Sequence, residues 1–390
     1  MSIKLLQITA AYKPAYIYGG PTMSVGKLCE ALTSEPGIEV QVFTTTANGK
    51  TELPVVANKL CAIDGVGVTY FERITKDHTH FSPKLLWNLR REILKNRGLI
   101  IHIHAWWNLV SIFSCLIAKW YNIPILLSPR GMLTDYTANN RNAMVKSLIH
   151  KFIGKNLLEY CHIHTTGNKE EKEVLSIVTP KSITVIPNLV SFPIYLENSV
   201  KKVTSMKDQP FKLIFLSRIE EKKGLELLFE ALVGVPFNWY LTIAGTGEED
   251  YVLSLKNKTR DLGIFDKINW VGQVHNNDKF KLIANHDLLT LTSYNENFAN
   301  VVVESLSVGT PVLLSNQVGL ADYLTENDFG WVADLSCVSI RKNIIVSHES
   351  EKKRNTIRIT APKQIIIDFE PKNLIKKYIN LYKEIIDVQL

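Results

Sequence analysis

Apolar runs of strand length alternate with segments of helical period along nearly the whole chain. The first series of runs is Ile3–Ile8, Val40–Thr44, Val66–Phe71, Leu99–Ile103, Ile125–Leu127, Ile163–Thr165 and Ile183–Ile186. After a polar break a second series follows at Lys212–Leu216, Tyr240–Ala244, Ile268–Val271, Leu288–Leu291, Val312–Leu314 and Gly330–Val332. Helical period is clear where Val25, Leu28, Cys29 and Leu32 fall at i, i+3, i+4 and i+7, and again at Leu225–Leu232, Val301–Val308 and Leu374–Ile386. This alternation predicts an α/β chain of parallel sheets covered by helices on both faces. The stretch Leu109–Ser128, interrupted by Lys119, Tyr121, Asn122 and Pro124, reads as a buried helix followed by a strand and not as a membrane span. Ser336–Pro362 is charged and poorly periodic, and short surface helices are expected there.

The break, Glu197–Pro210, predicts a linker over 196–210 between domains at 1–195 and 211–370, with a C-terminal helix over 371–390 packing back on the first domain. At 390 residues the chain exceeds what one core supports, so two doubly wound domains are expected. Ligands of such domains bind in loops after the carboxyl ends of strands, most naturally in the cleft between them. Composition adds little: 46% hydrophobic and 21% charged residues exclude collagenous and disordered classes. The net charge of +7 is more telling once divided. Residues 1–195 hold 21 Lys and Arg against 13 Asp and Glu, and residues 196–390 hold 24 against 25. The first half therefore faces something anionic, whether a membrane surface, a phosphate-bearing substrate or nucleic acid, unless the excess only solubilises. Five scattered cysteines without metal-ligand spacing fit a reducing compartment. The N-terminus MSIKLLQITAAYKP lacks the apolar core of a signal peptide. A cytoplasmic protein is expected, with peripheral contact at the inner face of a membrane left open.

Three loops carry candidate chemistry. Gly19 and Gly20 precede the Val25 helix, where paired glycines let backbone N–H groups approach a phosphate, though an ordinary turn has the same signature. In FLSRIEEKKGLELLFEAL (215–232), Arg218 and Lys223 at a strand end form a site for a diphosphate, unless Glu220 and Glu221 neutralise a merely solvated charge run. In SYNENFANVVVESLSVGTPVLLS (293–315), Glu296 and Glu304 straddle a helix start, with Val301, Val302, Ser305 and Val308 expected to face inward. At 1.5 Å per helical residue the two carboxylates are at most roughly 12 Å apart, within reach of hydroxyls at both ends of a nucleotide sugar. The N–H groups of Phe298, Ala299 and Asn300 can face its phosphates.

SRIEEKKG, then ENFANVVVE and SVGTPVLLS, resembles the donor-binding domain of the retaining glycosyltransferases of family 4, which have the GT-B fold of two Rossmann-like domains facing across a cleft. HIHAWW (102–107), SPRGML (128–133) and VIPNLV (185–190) extend the resemblance through the first half. It implies that Arg218 and Lys223 bind the donor diphosphate and stabilise the leaving group, that Glu296 contacts the donor sugar, and that Glu304 holds the ribose. It further implies that Gly20 approaches the phosphates with Gly19, that Gly245, Gly247, Val271, Gly272 and Val274 shape the nucleotide pocket, and that Asn297 to Asn300 line the donor. Relatives often carry histidine where Arg130 stands; arginine cannot be a general base, which leaves Arg130 for an anion and His104 as the remaining ring. Ala299 replaces a usual glycine, and Asp322 a usual glutamate.

The implied reaction transfers a sugar from a nucleoside diphosphate sugar to a saccharide, lipid-linked acceptor in surface-polysaccharide or lipopolysaccharide-type assembly. No D-x-D occurs in the chain, so no metal and no cofactor are expected. A sugar-nucleotide epimerase or a phosphorylase on the same fold is the nearest alternative. An NAD-dependent oxidoreductase lacks its third glycine, because Gly245-Thr246-Gly247 is followed by Glu248, Glu249 and Asp250. A nucleic-acid-binding protein would need aromatics interleaved on a basic stripe, which the first half does not show.

Overall fold

The computed structural model describes residues 2–96, 98–134, 137, 153–193, 209–274 and 276–387. The chain forms two compact units, Met1–Leu189 with Pro371–Leu390, and Val190–Glu370. The expected linker, 196–210, lies outside the described residues except for Gln209 and Pro210.

In the first unit β1 (Ile3–Thr9), β2 (Ile38–Thr45), the short hairpin β3 (Ala47–Asn48) and β4 (Thr51–Glu52), β5 (Leu60–Ile63), β6 (Val66–Phe71), β7 (Leu99–His104), β8 (Ile125–Ser128), β9 (His162–Thr165) and β10 (Ser182–Val185) follow in order. The main sheet runs β10-β9-β8-β7-β1-β2-β6-β5, parallel except for β5, which pairs antiparallel with β6. Every residue of β7 is buried, as a central parallel strand requires. Its side chains alternate between two chemistries. Leu99, Ile101 and Ile103 join the apolar cluster that includes Leu85, Leu89 and Cys115. Ile100 lies on the opposite face with Leu374, Tyr378, Leu381 and Tyr382 of the last helix, Pro371–Asp387, and His102 shares that face, bonding Tyr382. The helix Gly20–Thr33 buries Val25, Leu28, Cys29 and Leu32, the set its period predicts.

In the second unit β11 (Phe211–Leu216), β12 (Trp239–Ala244), β13 (Ile268–Gly272), β14 (Leu288–Leu291), β15 (Val312–Ser315) and β16 (Gly330–Ala333) form a parallel sheet in the order β13-β12-β11-β14-β15-β16. Numbered within the unit this is 3-2-1-4-5-6, the doubly wound Rossmann order.

Two expectations change. Ser336–Pro362 forms long helices, Cys337–Glu349 and Glu351–Asp368, and not short surface ones; they bury Ile340 and Ile344, then Ile357, Ala361 and Ile365. Spacings of four place one narrow stripe on the core, and Pro362 inside the second helix hides that period from a sequence reading. The edge strand β5 is an addition to the expected set: its apolar run, Leu60–Ile63, is only four residues long, and Leu60 and Ala62 are exposed. Among the described residues no helix is long and apolar enough to cross a membrane.

Candidate active site

The strand order of the second sheet reverses between β11 and β14, where a doubly wound sheet opens a crevice at its carboxyl edge. The loops leaving these two strands are tied together through their backbones. Gly224 has φ +67°, and a Cβ there would lie 2.2 Å from Thr292 O. Thr292 Oγ1 donates to Gly224 O at 2.9 Å, and Tyr294 N donates to Lys222 O at 2.8 Å. The 3-10 turn Glu221–Lys223 is thereby fixed against the β14 loop. Lys223, 5% exposed, forms an ion pair with Glu296.

A third loop holds Glu296 from behind. Glu296 N donates to Gln317 O at 3.3 Å and Gly319 N to Glu296 O at 2.8 Å. Any side chain on Gly319 would overlap Asn297 O, 1.7 Å from its Cβ position. Burial pushes the Glu296 carboxyl up, but the charges of Lys223, Lys222 and Arg218 and the hydrogen bond from Lys223 outweigh it and hold the group below its ordinary value.

Arg218 and Lys222 are both answered by Glu220, at 2.5 and 3.5 Å, and all three side chains are about a third exposed. Such a pair contributes at most about 1 kcal/mol, so a phosphate can draw Arg218 away from Glu220 at little cost. Burial lowers the Lys222 ammonium, favouring an added anion beside it. Behind Arg218, a Cβ on Gly245 would sit 1.8 Å from Ser217 O, and one on Gly247 2.1 Å from Ile219 O. These glycines therefore pack the Arg218 loop, a role independent of any ligand. Gly245 N also donates to Gly272 O at 2.7 Å. Val271 is exposed, and Gly272 and Val274 are half-buried.

Ala299 caps the helix Asn300–Ser307 at φ +65°, the left-handed region that a glycine would occupy freely. It is buried with Phe298, and Asn297 and Asn300 are half-buried. Val302 and Ser305 face inward as expected, but Val301 and Val308 are only half-buried, while Val303, Glu304 and Leu306 are buried too. The helix is enclosed nearly all round. Glu304 pairs with Lys279 of the helix Asn276–Ala284 at 2.5 Å, so ribose hydroxyls would compete with an ammonium for this carboxylate.

In the first unit Gly19 (φ +65°) turns the chain into its helix, and no atom lies within 4 Å of a Cβ built on Gly20. His104, one of the expected catalytic residues, is held within a hydrogen-bonded set. Its ring is 1% exposed, Nε2 faces Gln7 Oε1 at 2.7 Å, and Nδ1 accepts from Arg130 Nε at 3.3 Å. Burial, with the charges of His102 and Arg130, holds it neutral. Both ring nitrogens have a partner.

Two family models together match most of the chain: Glycosyltransferase Family 4 over residues 18–192 and Glycosyl transferases group 1 over residues 197–364. The chain belongs to the group 1, family 4 glycosyltransferases. It is 26% identical to an uncharacterised glycosyltransferase of Methanocaldococcus jannaschii, covering 98% of both chains. It is 22% identical to the N,N'-diacetylbacillosaminyl-diphospho-undecaprenol alpha-1,3-N-acetylgalactosaminyltransferase of Campylobacter jejuni, over 76% of this chain and 80% of the other. Its two Rossmann-like units have the GT-B fold, illustrated by Anabaena HepE in complex with UDP and glucose: TM-score 0.74, 18% identity, 98% of this chain and 100% of that one.

Within this glycosyltransferase, Gly319, Thr292 and Lys279 support the site yet escape a sequence reading. Gly319 alone leaves a trace, as a glycine just beyond a strand in SNQVGLADYL. Gly319→Ala is expected to push Glu296 and Asn297 out of place and lower kcat/KM at least about tenfold; donor-turnover kinetics on the folded variant check this, and an unchanged rate contradicts it. The depressed Glu296 carboxyl gives stability that is present above its ordinary titration range and is lost as pH falls through its folded value. Denaturant unfolding of wild type and Glu296→Gln should therefore diverge most near neutral pH and converge in acid.

Proposed function

We propose that this glycosyltransferase moves a hexose-type sugar, with retention of anomeric configuration, from a nucleoside diphosphate to a saccharide acceptor carried on a lipid, in surface-polysaccharide or lipopolysaccharide-type assembly. The observation that carries the reading is the Lys223–Glu296 pair, with Arg218 beside it, on the two loops at the strand-order reversal of the second sheet. Glu296 accepts hydrogen bonds from the donor sugar's hydroxyls while Lys223 turns its charge toward the diphosphate. Arg218 leaves Glu220 for the same phosphates. As the sugar–phosphate bond breaks, negative charge grows on the leaving nucleoside diphosphate, and cations already in place stabilise it without reorganisation. The acceptor hydroxyl passes its proton to the departing phosphate, which needs neither a histidine base nor a metal. Glu304 serves the ribose from the buried helix, sharing its carboxylate with Lys279.

A UDP-bound structure of HepE supports the donor class, and the undecaprenol-linked substrate in the name of the Campylobacter enzyme supports a lipid-linked acceptor. The reading puts the enzyme in the cytoplasm, working at the inner face of a membrane.

Lys223→Ala and Glu296→Ala should each lose at least about 100-fold of turnover with circular dichroism unchanged, using the donor that a thermal-shift panel of nucleoside diphosphate sugars selects. Wild-type activity should survive EDTA. A wild-type rate in either variant, or a loss with EDTA, sinks the proposal.

A further inference from the structure

A guanidinium at the carboxyl edge of the first sheet is surrounded by neutral acceptors. Arg130 follows β8 with φ +53°, a left-handed conformation that an arginine holds only when its surroundings impose it. Its Nε donates to His104 Nδ1 at 3.3 Å, and its Nη1 to Ser24 Oγ at 3.0 Å and Asn188 Oδ1 at 3.1 Å. These partners come from three places: the end of β7, the first turns of the helix Gly20–Thr33, and the segment after β10. None carries charge, and Arg130 joins none of the ion pairs among the described residues. The neighbouring buried carboxylate, Glu170, turns to other donors: Oε1 accepts from Gly131 N at 2.6 Å, and Oε2 from Thr166 N at 2.8 Å and Thr166 Oγ1 at 3.1 Å.

Burying a guanidinium without a paired anion is costly, and burial does lower the Arg130 group. The neutral acceptors fix Nε and Nη1 in direction, and the charge of Glu170 acts on the group without a direct ion pair. That is the arrangement of a site whose counter-charge arrives with a ligand, and a planar fork favours phosphate. His104 completes it, because Gln7 Oε1 accepts from Nε2–H and so leaves Nδ1 as an acceptor for Arg130.

We propose that Arg130 is the core of a phosphate-binding site within the first unit, with His104 as the positioning residue that orients its guanidinium. The phosphate belongs either to a phosphorylated or diphosphate-linked acceptor or to the nucleotide donor. Only this choice of source rests on the glycosyltransferase reading; phosphate binding itself needs no turnover, so the two can fail separately.

The test titrates inorganic phosphate and pyrophosphate into the full chain by calorimetry and thermal shift. Because Arg218 and Lys223 offer phosphate a second site, the titrations place each variant on an Arg218→Ala/Lys223→Ala background, where phosphate should still bind and Arg130→Gln should weaken it about tenfold or more, the scale of a charged hydrogen bond. Arg130→Lys keeps the charge without the fork and should fall between. His104→Asn, which retains an acceptor, should stay near wild type, and His104→Leu should weaken binding severalfold. In turnover assays a raised acceptor KM in Arg130→Lys assigns the phosphate to the acceptor, and a raised donor KM assigns it to the donor. Absence of phosphate binding in wild type overturns the proposal even if the arginine variants fail to fold. Binding retained by folded Arg130→Gln on that background, or absent from the background itself, overturns it as well.

Discussion

Contact between backbones at the carboxyl edge of the second sheet is the constraint on which the rest of the site depends. Four positions there admit no Cβ: Gly224 against Thr292, Gly245 against Ser217, Gly247 against Ile219 and Gly319 against Asn297. Each contact joins two loops that leave different strands. Their combined effect is to bring a lysine from one loop and a glutamate from another together with little exposure, where their charges act through protein more than through water. Lys223 and Glu296 are 73 residues apart in sequence, and no local propensity could pair them. The strand order determines which loops meet, and the glycines determine how closely.

The first unit orders its charge differently. Its sheet presents hydrocarbon to one helical layer and a row of polar groups to the final helix. Tyr382 bonds His102 Nδ1, His102 Nε2 meets Ser128 Oγ, and Ser128 meets His164 Nδ1, at 2.7–2.8 Å. Tyr378 reaches His164 Nε2 at 3.0 Å. A satisfied buried network fixes position more narrowly than apolar packing alone. The last seventeen residues of helix, Pro371–Asp387, are thus held by directed bonds as well as by Leu374, Leu381 and Ile385. The same face leads, through Gln7 and His104, to Arg130.

Much of this was legible from residue order. The apolar runs locate the long strands of both sheets to within about two residues, because strands buried on both faces are predominantly apolar along their length. Arg218, Lys223, Glu296 and Glu304 stand out because charged residues beside strand ends are exceptional in such a pattern. The partners of these groups were not legible. Lys279 meets Glu304 across two helices, Thr292 receives Gly224 through a carbonyl, and Glu220 neutralises Arg218 only because the turn folds back. His104 looked available for chemistry because a sequence shows a histidine at a strand end but not the Gln7 and Arg130 that occupy both its nitrogens. The helices of 337–368 were obscured for another reason: a one-residue-wide core stripe, broken by Pro362, has almost no periodic signal.

The central claim is that the loops leaving β11 and β14 grip a nucleoside diphosphate sugar through Arg218, Lys223 and Glu296. Backbone hydrogen exchange, followed by mass spectrometry with and without a UDP-sugar that stabilises the protein, tests it most directly. The account predicts new protection in peptides spanning 217–224 and 293–300. Protection confined to other segments, with these two loops exchanging as before, would contradict it.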